Sequence, residues 1–244
     1  MKTIINYFFL LVLFFVGCNF NQEKKVETNE NSKNDGITVI KKPYKNSTKI
    51  EYEIPVVSGT TIKHGIQKRF YLHGSVYSTI PYVAGKKQGI TYTYYKAALG
   101  DKPQVWKEQP YENDELNGTC KRYHRNGTLQ AEYEYKNGLR AVGLNEFWES
   151  GNAIKQPELV LTRNRVATGY YISARLSDES DKVDFFIGDL VEGRYMPENL
   201  KALQVRNGIG EIVVEQTSGK LTITAVYSTR YRNTGVVSGR VVLP

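Results

Sequence analysis

The chain has 244 residues, among them 21 Gly and 18 Tyr but only two Met and two Cys, and its formal net charge is +8. This composition disfavours a helical fold, because aromatic side chains suit the half-buried surface of a sheet and Gly supplies the positive φ of tight turns. Two cysteines exclude a framework of several disulfides, so the fold has to be stabilised by packing and strand pairing.

The N-terminal residues have the order of a secretory signal peptide. Lys2 gives a positive start, and residues 7–16 are an unbroken apolar run that is too short to span a bilayer. Phe15 to Cys18 resembles the lipobox of bacterial lipoproteins, in which cleavage occurs before the cysteine and its sulfur carries a diacylglycerol. We therefore expect residues 1–17 to be removed and the protein to be anchored through lipidated Cys18 at the bacterial cell envelope, on the outer membrane. The alternative is an ordinary signal peptide with an incidental cysteine.

The segment that follows the predicted anchor is polar. Residues 18–49 are rich in Asn, Lys and Glu and contain few large apolar side chains. Such a segment buries too little surface to offset the entropy lost on ordering it. We predict a flexible tether over 18–49, with a reach on the order of 30 Å from the membrane.

An internal repeat occupies residues 50–157. When Gly65 is placed over Gly118, the two copies align without a gap as far as Gly85 and Gly138. The repeat length is roughly 24 residues, which indicates an array in which each unit is one supersecondary element.

Each repeat unit has the signals of a β-hairpin. Apolar and charged residues alternate from Leu129 to Lys136, as in a strand with one buried face. Asn126-Gly127 and Asn137-Gly138 are dipeptides that favour type I′ turns, so both glycines are expected at positive φ. Corresponding turns are predicted at His73-Gly74, Ala84-Gly85 and Ser150-Gly151.

The order Gly, aromatic residue, Asn-Gly, aliphatic residue, Tyr, Asn-Gly resembles MORN repeats, and in particular the bacterial YwqK family, which carries an antitoxin label. The resemblance covers roughly residues 63–155 and implies that successive hairpins form one long meandering sheet. An insertion at 97–105 and a shortened unit that begins near Gly143 depart from the family pattern. We therefore expect the sheet to be bulged or broken at those two places.

A second β domain is predicted over 158–244. Apolar residues alternate in segments that begin near Tyr170, Val183 and Leu221, and turns such as Asn207-Gly208 separate them. About seven short strands in this length indicate an immunoglobulin-like or related sandwich. The predicted fold class is therefore all-β, a MORN-like hairpin array followed by an immunoglobulin-like β-sandwich.

Residues with catalytic or metal chemistry are few. The three histidines lack the close ligand spacing of zinc motifs, and the acidic segment 178–184 lacks the glycine of a calcium loop. Cys120 aligns with Gln67 of the earlier copy, which favours an ordinary packing or surface position over a reactive thiol. No catalytic residue, metal site or cofactor is expected.

The tyrosines of the repeats are the candidate binding residues. A single-layer sheet leaves part of its aromatic surface exposed, although stacking within the sheet is the alternative explanation for these rings. The excess of positive charge lies ahead of Glu158, and it suits an anionic headgroup, an acidic glycan or an acidic protein. Scattered basic residues and the export signal argue against nucleic acid. The candidate residues are Tyr92, Tyr94, Tyr111, Tyr123, Tyr133 and Tyr135.

We expect a membrane-anchored lipoprotein that acts as a non-catalytic binding or scaffolding module for a protein or glycan at the envelope. Partner binding is expected on the array. The insertion at 97–105 is either a recognition loop or a tolerated surface excursion. Two alternatives stay open. One is an immunity or antitoxin-like protein that neutralises a toxin at the membrane, and the other is an envelope hydrolase whose site no sequence motif identifies.

Overall fold

The structure is a computed structural model that describes residues 36–244. These residues form 22 β-strands and no helix, which confirms the all-β prediction. Within the described residues there is consequently no helix with the length and hydropathy needed to cross a membrane. The predicted signal peptide 1–17 and the predicted lipidation site Cys18 lie outside the described residues.

Most of the array belongs to one 14-stranded sheet in which neighbouring strands are antiparallel. Hydrogen-bonded neighbours largely follow one another along the chain, as expected for a meander of hairpins. Its first thirteen strands are β1 (Ile37–Pro43), β2 (Ile50–Val57), β3 (Gly65–Phe70), β4 (Val76–Val83), β5 (Lys86–Lys87), β6 (Gly89–Tyr94), β7 (Val105–Glu112), β8 (Glu115–Leu116), β9 (Gly118–Tyr123), β10 (Leu129–Lys136), β11 (Leu139–Ala141), β12 (Asn145–Phe147) and β13 (Ala153–Ile154).

Strand β1 corrects part of the predicted tether. The composition predicts flexibility over residues 18–49, but Ile37–Pro43 pairs with β2 from Ile37 opposite Val57 to Lys42 opposite Tyr52. Six of the seven residues of β1 are exposed, so backbone pairing rather than burial holds this strand. The amino-acid composition of a segment indicates how much apolar surface it can bury, but not whether its backbone pairs with another strand. The array therefore begins before residue 50, with the hairpin β1–β2.

Two kinds of turn alternate along the array. Both residues have positive φ at Ala84-Gly85 (48° and 88°) and at Asn137-Gly138 (48° and 77°), as type I′ requires. In Asn126-Gly127 only the glycine has positive φ, at 88°. A bond of 2.9 Å from the His124 N–H to the Thr128 carbonyl closes a three-residue loop there. Positive φ at Gly127 and Gly138 is confirmed, and the type I′ prediction for Asn126-Gly127 is wrong because that loop is one residue longer.

The sheet is continuous through the insertion. Strands β6 and β7 pair from Gly89 opposite Tyr111 to Tyr94 opposite Val105, with a register shift between Thr93 and Tyr94. Equivalent shifts occur in the β1–β2, β3–β4 and β9–β10 pairs, so the bulge is a property of the repeat and not of the insertion. The last unit is short, since its hairpin β12–β13 has only two residue pairs, whereas the hairpin β3–β4 has six.

The C-terminal strands form two four-stranded antiparallel sheets, ordered β14-β15-β20-β19 and β18-β16-β21-β22. Their core joins Ala174 and Leu176 of one sheet to Phe185, Ile223 and other side chains of the second. The strands predicted near Tyr170, Val183 and Leu221 are confirmed, while the immunoglobulin-like subclass stays a prediction. The strands of the two sheets are β14 (Leu159–Val166), β15 (Gly169–Leu176), β16 (Val183–Ile187), β18 (Lys201–Ala202), β19 (Gln204–Arg206), β20 (Ile209–Val214), β21 (Gly219–Ser228) and β22 (Thr234–Leu243), and β17 (Tyr195–Met196) is the fourteenth strand of the long sheet.

The array and the sandwich belong to one compact unit, Gly36–Pro244. Strand β17 follows the sandwich strand β16 along the chain, yet it pairs with β11 and becomes the last strand of the long sheet. Glu146 of β12 is 2% exposed and accepts hydrogen bonds from Thr229 and Asn233, both at 2.6 Å. We call this contact region between the long sheet and the sandwich the junction.

Candidate binding surface

One face of the long sheet carries a straight row of side chains across nine strands. Direct register partners link each residue of the row to the next, and such partners point to the same face. Opposite charges meet within the row, for instance Lys41 Nζ and Glu53 Oε1 at 3.6 Å. We call this side of the sheet the ladder face. Its row consists of Lys41, Glu53, Lys68, Thr79, Tyr92, Glu108, Lys121, Glu132 and Asn145.

Three of the six predicted tyrosines lie on the ladder face. Tyr92 belongs to the row, and the ring of Tyr94 stacks on it with centroids 6.3 Å apart and planes inclined by 22°. The hydroxyl of Tyr94 lies 3.4 Å from that of Thr79, another member of the row. Tyr123 lies beside Glu108. These rings are half-buried and part of their surface remains available to a partner.

The chemistry of Tyr123 is that of a neutral phenol. Burial, followed by the charge of Glu108 and a hydrogen bond to that carboxylate, raises the pKa of Tyr123 to about 12. The hydroxyl therefore stays protonated at neutral pH. Tyr123 can donate a hydrogen bond on the ladder face but does not supply a phenolate for catalysis.

The other three predicted tyrosines, Tyr111, Tyr133 and Tyr135, lie on the opposite face. Tyr133 is the direct register partner of Cys120, and Arg140 Cζ lies 3.9 Å from the centroid of the Tyr133 ring. Burial raises the pKa of both Tyr111 and Tyr133. The structure therefore divides the six predicted tyrosines between the two faces of the sheet. The three on the opposite face pack against neighbouring side chains of the sheet.

Cys120 occupies the centre of this packed cluster. Its side chain is 0% exposed, and burial raises the pKa of its thiol to about 11. A buried protonated thiol is a poor nucleophile. Of the packing and surface positions that the alignment with Gln67 left open, the structure shows the packing position.

The insertion at 97–105 is anchored at its base. His73 Nε2 lies 2.7 Å from the carbonyl oxygen of Ala97, so the insertion contacts the turn of the preceding unit. Leu99, at its tip, is 73% exposed. An anchored loop with an exposed apolar tip is compatible with the predicted recognition role.

The histidines make structural hydrogen bonds. His124 Nε2 lies 2.9 Å from the Phe147 carbonyl, and His64 Nδ1 accepts a bond of 3.4 Å from the Ala84 N–H. Across residues 36–244, no group of three or more His, Cys, Asp and Glu residues is placed to hold a metal ion. In the acidic segment 178–184, the Asp178 carboxylate accepts a bond from the Ser180 N–H, as in a polar turn.

Sequence reasoning missed the ladder row, because the row depends on the register of strands that are far apart in the chain. Comparisons with protein-family models, with curated proteins and with solved structures find no match. The resemblance to MORN repeats and the YwqK family therefore stays a prediction.

Proposed function

We propose that the protein is a non-catalytic binding or scaffolding module, anchored at the bacterial cell envelope, that presents the ladder face to a protein or glycan. The observation that carries this proposal is the continuous row across nine strands. At a strand spacing of about 4.8 Å, the row offers a surface roughly 40 Å long. A partner of extended shape would contact several repeat units at once.

The side chains next to the row support a binding role. Ile66 and Ile90 lie on the same face at 57% and 44% exposure, and their register partners are Pro81 and Pro110. An apolar stripe thus runs beside the charged row, with Tyr92 on the same strand as Ile90. Apolar anchors with a polar surround are typical of protein interfaces. The charges would select the partner, and the apolar stripe would supply contact area.

The test compares two double variants of the full-length protein in capture experiments from envelope extracts. Ile90→Ser with Tyr92→Ala removes the centre of the ladder face. Val213→Ser with Tyr171→Ala makes the same kind of change on the sandwich, where Tyr171 and Val213 are register partners and Val213 is 54% exposed.

We expect the ladder-face variant to lose a partner that both the wild type and the sandwich variant retain. The proposal fails if both variants retain every partner of the wild type, or if only the sandwich variant loses one.

A further inference from the structure

The opposite face of the sheet carries cations and aromatic rings close to the junction. Lys107 Nζ lies 4.1 Å, and Arg122 Cζ 5.5 Å, from the centroid of the Trp106 ring. The ring of Tyr95 lies 5.9 Å from that of Trp106, and Arg125 Cζ is 4.6 Å from the Tyr95 centroid. Each of these two rings therefore supports at least one cation.

The loop that joins β21 to β22 adds to this cluster from the sandwich side. Arg230 Cζ lies 4.2 Å from the Trp148 ring centroid, and the ring of Tyr231 packs edge-on to that of Trp148 at 6.4 Å. Arg122 donates a hydrogen bond to the side chain of Asn233 in the same loop. We call the combined cations of the array and the loop the basic patch. It consists of Lys107, Arg122, Arg125 and Arg230.

The cations of the basic patch form no ion pair within the described residues. None of the four lies within 4.0 Å of a carboxylate in the ion pairs of residues 36–244. The carboxylate that acts on the same ring as Arg125 and Arg122 is that of Glu149. Burial and this carboxylate raise the pKa of Tyr95, while the two arginines lower it. The buried carboxylate of Glu146 nearby is hydrogen-bonded to Thr229 and Asn233. Burial, together with the adjacent charge of Arg122, lowers the pKa of Lys107, as expected for an ammonium group without a counter-ion. An anionic ligand would relieve this repulsion.

The arrangement of rings limits the class of ligand. Cations already lie over Tyr95, Trp106 and Trp148, which leaves less ring surface for the base stacking that binds single-stranded nucleic acid. Trp148 is 38% exposed and the other rings are half-buried, so no apolar wedge projects as in proteins that insert into a bilayer. The patch therefore offers charge rather than apolar surface.

The cations are spread out rather than convergent. Lys107 and Arg122 are direct register partners on adjacent strands, whereas Arg125 lies in the following turn and Arg230 in the sandwich loop. A single phosphate ion would reach only part of this set. A ligand with anionic groups at regular intervals would engage several cations together, and guanidinium groups bind carboxylates through paired hydrogen bonds.

We propose that the basic patch binds an acidic polysaccharide that carries a carboxylate on successive sugar units. A stiff chain of sugar rings loses less conformational entropy on binding than a flexible acidic peptide does. The site uses both the array and the sandwich, which gives the junction a role in recognition. Because it lies on the face opposite the ladder face, the proposal is independent of the function proposed above.

The test measures binding of the full-length protein, in detergent, to polygalacturonate and to its methyl ester, which has the same backbone without the charge. Arg125→Glu with Arg230→Glu reverses two exposed charges of the patch, neither of which makes a hydrogen bond within the described residues. Lys201→Glu with Lys220→Glu makes the same change in net charge at exposed sites of the sandwich. Polyglutamate and vesicles containing phosphatidylglycerol are the comparison probes.

We expect the wild type and the Lys201 and Lys220 double variant to bind polygalacturonate alike, and the patch variant to bind it about tenfold more weakly. The methyl ester should not bind. Equal weakening in both variants, or equal binding of the methyl ester, would overturn the proposal. Binding to polyglutamate or to the anionic vesicles, without binding to polygalacturonate, would also overturn it and would assign the patch to an acidic peptide or a membrane.

Discussion

The phenol of Tyr95 donates a hydrogen bond of 2.8 Å to the backbone carbonyl of Tyr123, the last residue of β9 in the following repeat unit. Equivalent bonds recur along the array. In each of them, a ring that comes directly after one strand bonds to the carbonyl of the last residue of the equivalent strand in the next unit. These ring-to-carbonyl bonds link units that are successive in the chain. The other pairs are Tyr44 with Phe70, Tyr71 with Tyr94, and His124 with Phe147.

Removing one ring-to-carbonyl bond should weaken the array. Tyr95→Phe deletes the donor and keeps the ring, so we expect the free energy of unfolding in urea to fall by about 1 kcal/mol. Tyr92→Phe is the matched control, because the Tyr92 hydroxyl makes no hydrogen bond in the described part of the chain, and it should change stability by less than about 0.5 kcal/mol. Equal midpoints for the two variants would contradict a structural role for these bonds.

The turn residues should respond in opposite directions. Gly127→Val and Gly138→Val place a branched side chain at φ values of 88° and 77°, and each should cost at least about 1 kcal/mol. Ala84 already has a φ of 48°, so Ala84→Gly should stabilise the protein by up to about 1 kcal/mol. Thermal melting of the three variants checks both signs. Destabilisation by Ala84→Gly would contradict the left-handed conformation at that turn.

Local signals in the sequence identify most strands and turns, because they depend on neighbours in the chain. The alternation from Leu129 to Lys136 predicts β10, and Gly138 predicts its turn. The ring-to-carbonyl bonds have a local signal as well, since Tyr71 and Tyr95 each follow directly on an aromatic residue at a strand end. Tyr44, the first donor of the series, follows Pro43 and lacks this signal, so the sequence marks only part of the series.

Contacts between distant segments are not visible in the sequence. The hydrogen bond between Arg122 and Asn233 joins residues 111 positions apart, and it depends on how the sandwich docks on the sheet. The division of Tyr92 and Tyr133 between two faces depends on cross-strand register in the same way. Strand β1 is a different case, because Thr38, Val39 and Ile40 are β-branched residues that favour a strand. This local signal is short, and the polar composition of residues 18–49 as a whole conceals it.

The junction should depend on a buried carboxylate more than on an exposed ion pair. Glu146→Ala leaves Thr229 and Asn233 without their acceptor, and we expect a loss of about 3 kcal/mol in the free energy of unfolding. Glu192 also forms an ion pair near the junction, with its Oε1 2.7 Å from Lys136 Nζ, but both side chains are about half exposed. Glu192→Ala should therefore cost less than about 1 kcal/mol. Equal effects in urea titrations would show that burial of Glu146 does not matter.

The lipid anchor predicted at Cys18 lies outside the described residues and needs its own experiment. Cys18→Ser removes the sulfur that would carry the diacylglycerol. In detergent phase separation the variant should therefore be found in the aqueous phase, or it should keep its signal peptide uncleaved. The parent protein is expected in the detergent phase. A variant that is cleaved and still enters the detergent phase to the same extent would remove the lipoprotein assignment.

Three groups whose pKa is raised in the folded state should make the fold sensitive to alkaline pH. Burial raises the pKa of Cys120 from 9.0 to about 11, and burial together with nearby carboxylates raises the pKa of Tyr123 and Tyr227 from 10.0 to about 12. The folded state keeps these groups neutral, whereas the unfolded chain ionises them at lower pH. Their contribution to stability is therefore complete below about pH 9 and is lost progressively towards pH 12.

Cys120→Ala isolates one of these three contributions. The wild type should lose stability between pH 8 and pH 10.5, and the variant should lose up to about 2 kcal/mol less over the same interval, since no thiol remains to ionise. The free energy of unfolding of each protein is compared with its own value at pH 8, so the stability that the variant loses through its smaller side chain cancels. At pH 8 the native thiol should also resist a disulfide reagent until urea is added, because it is 0% exposed. Identical pH dependence in both proteins, or rapid reaction of the native thiol, would show that Cys120 is not held protonated by burial.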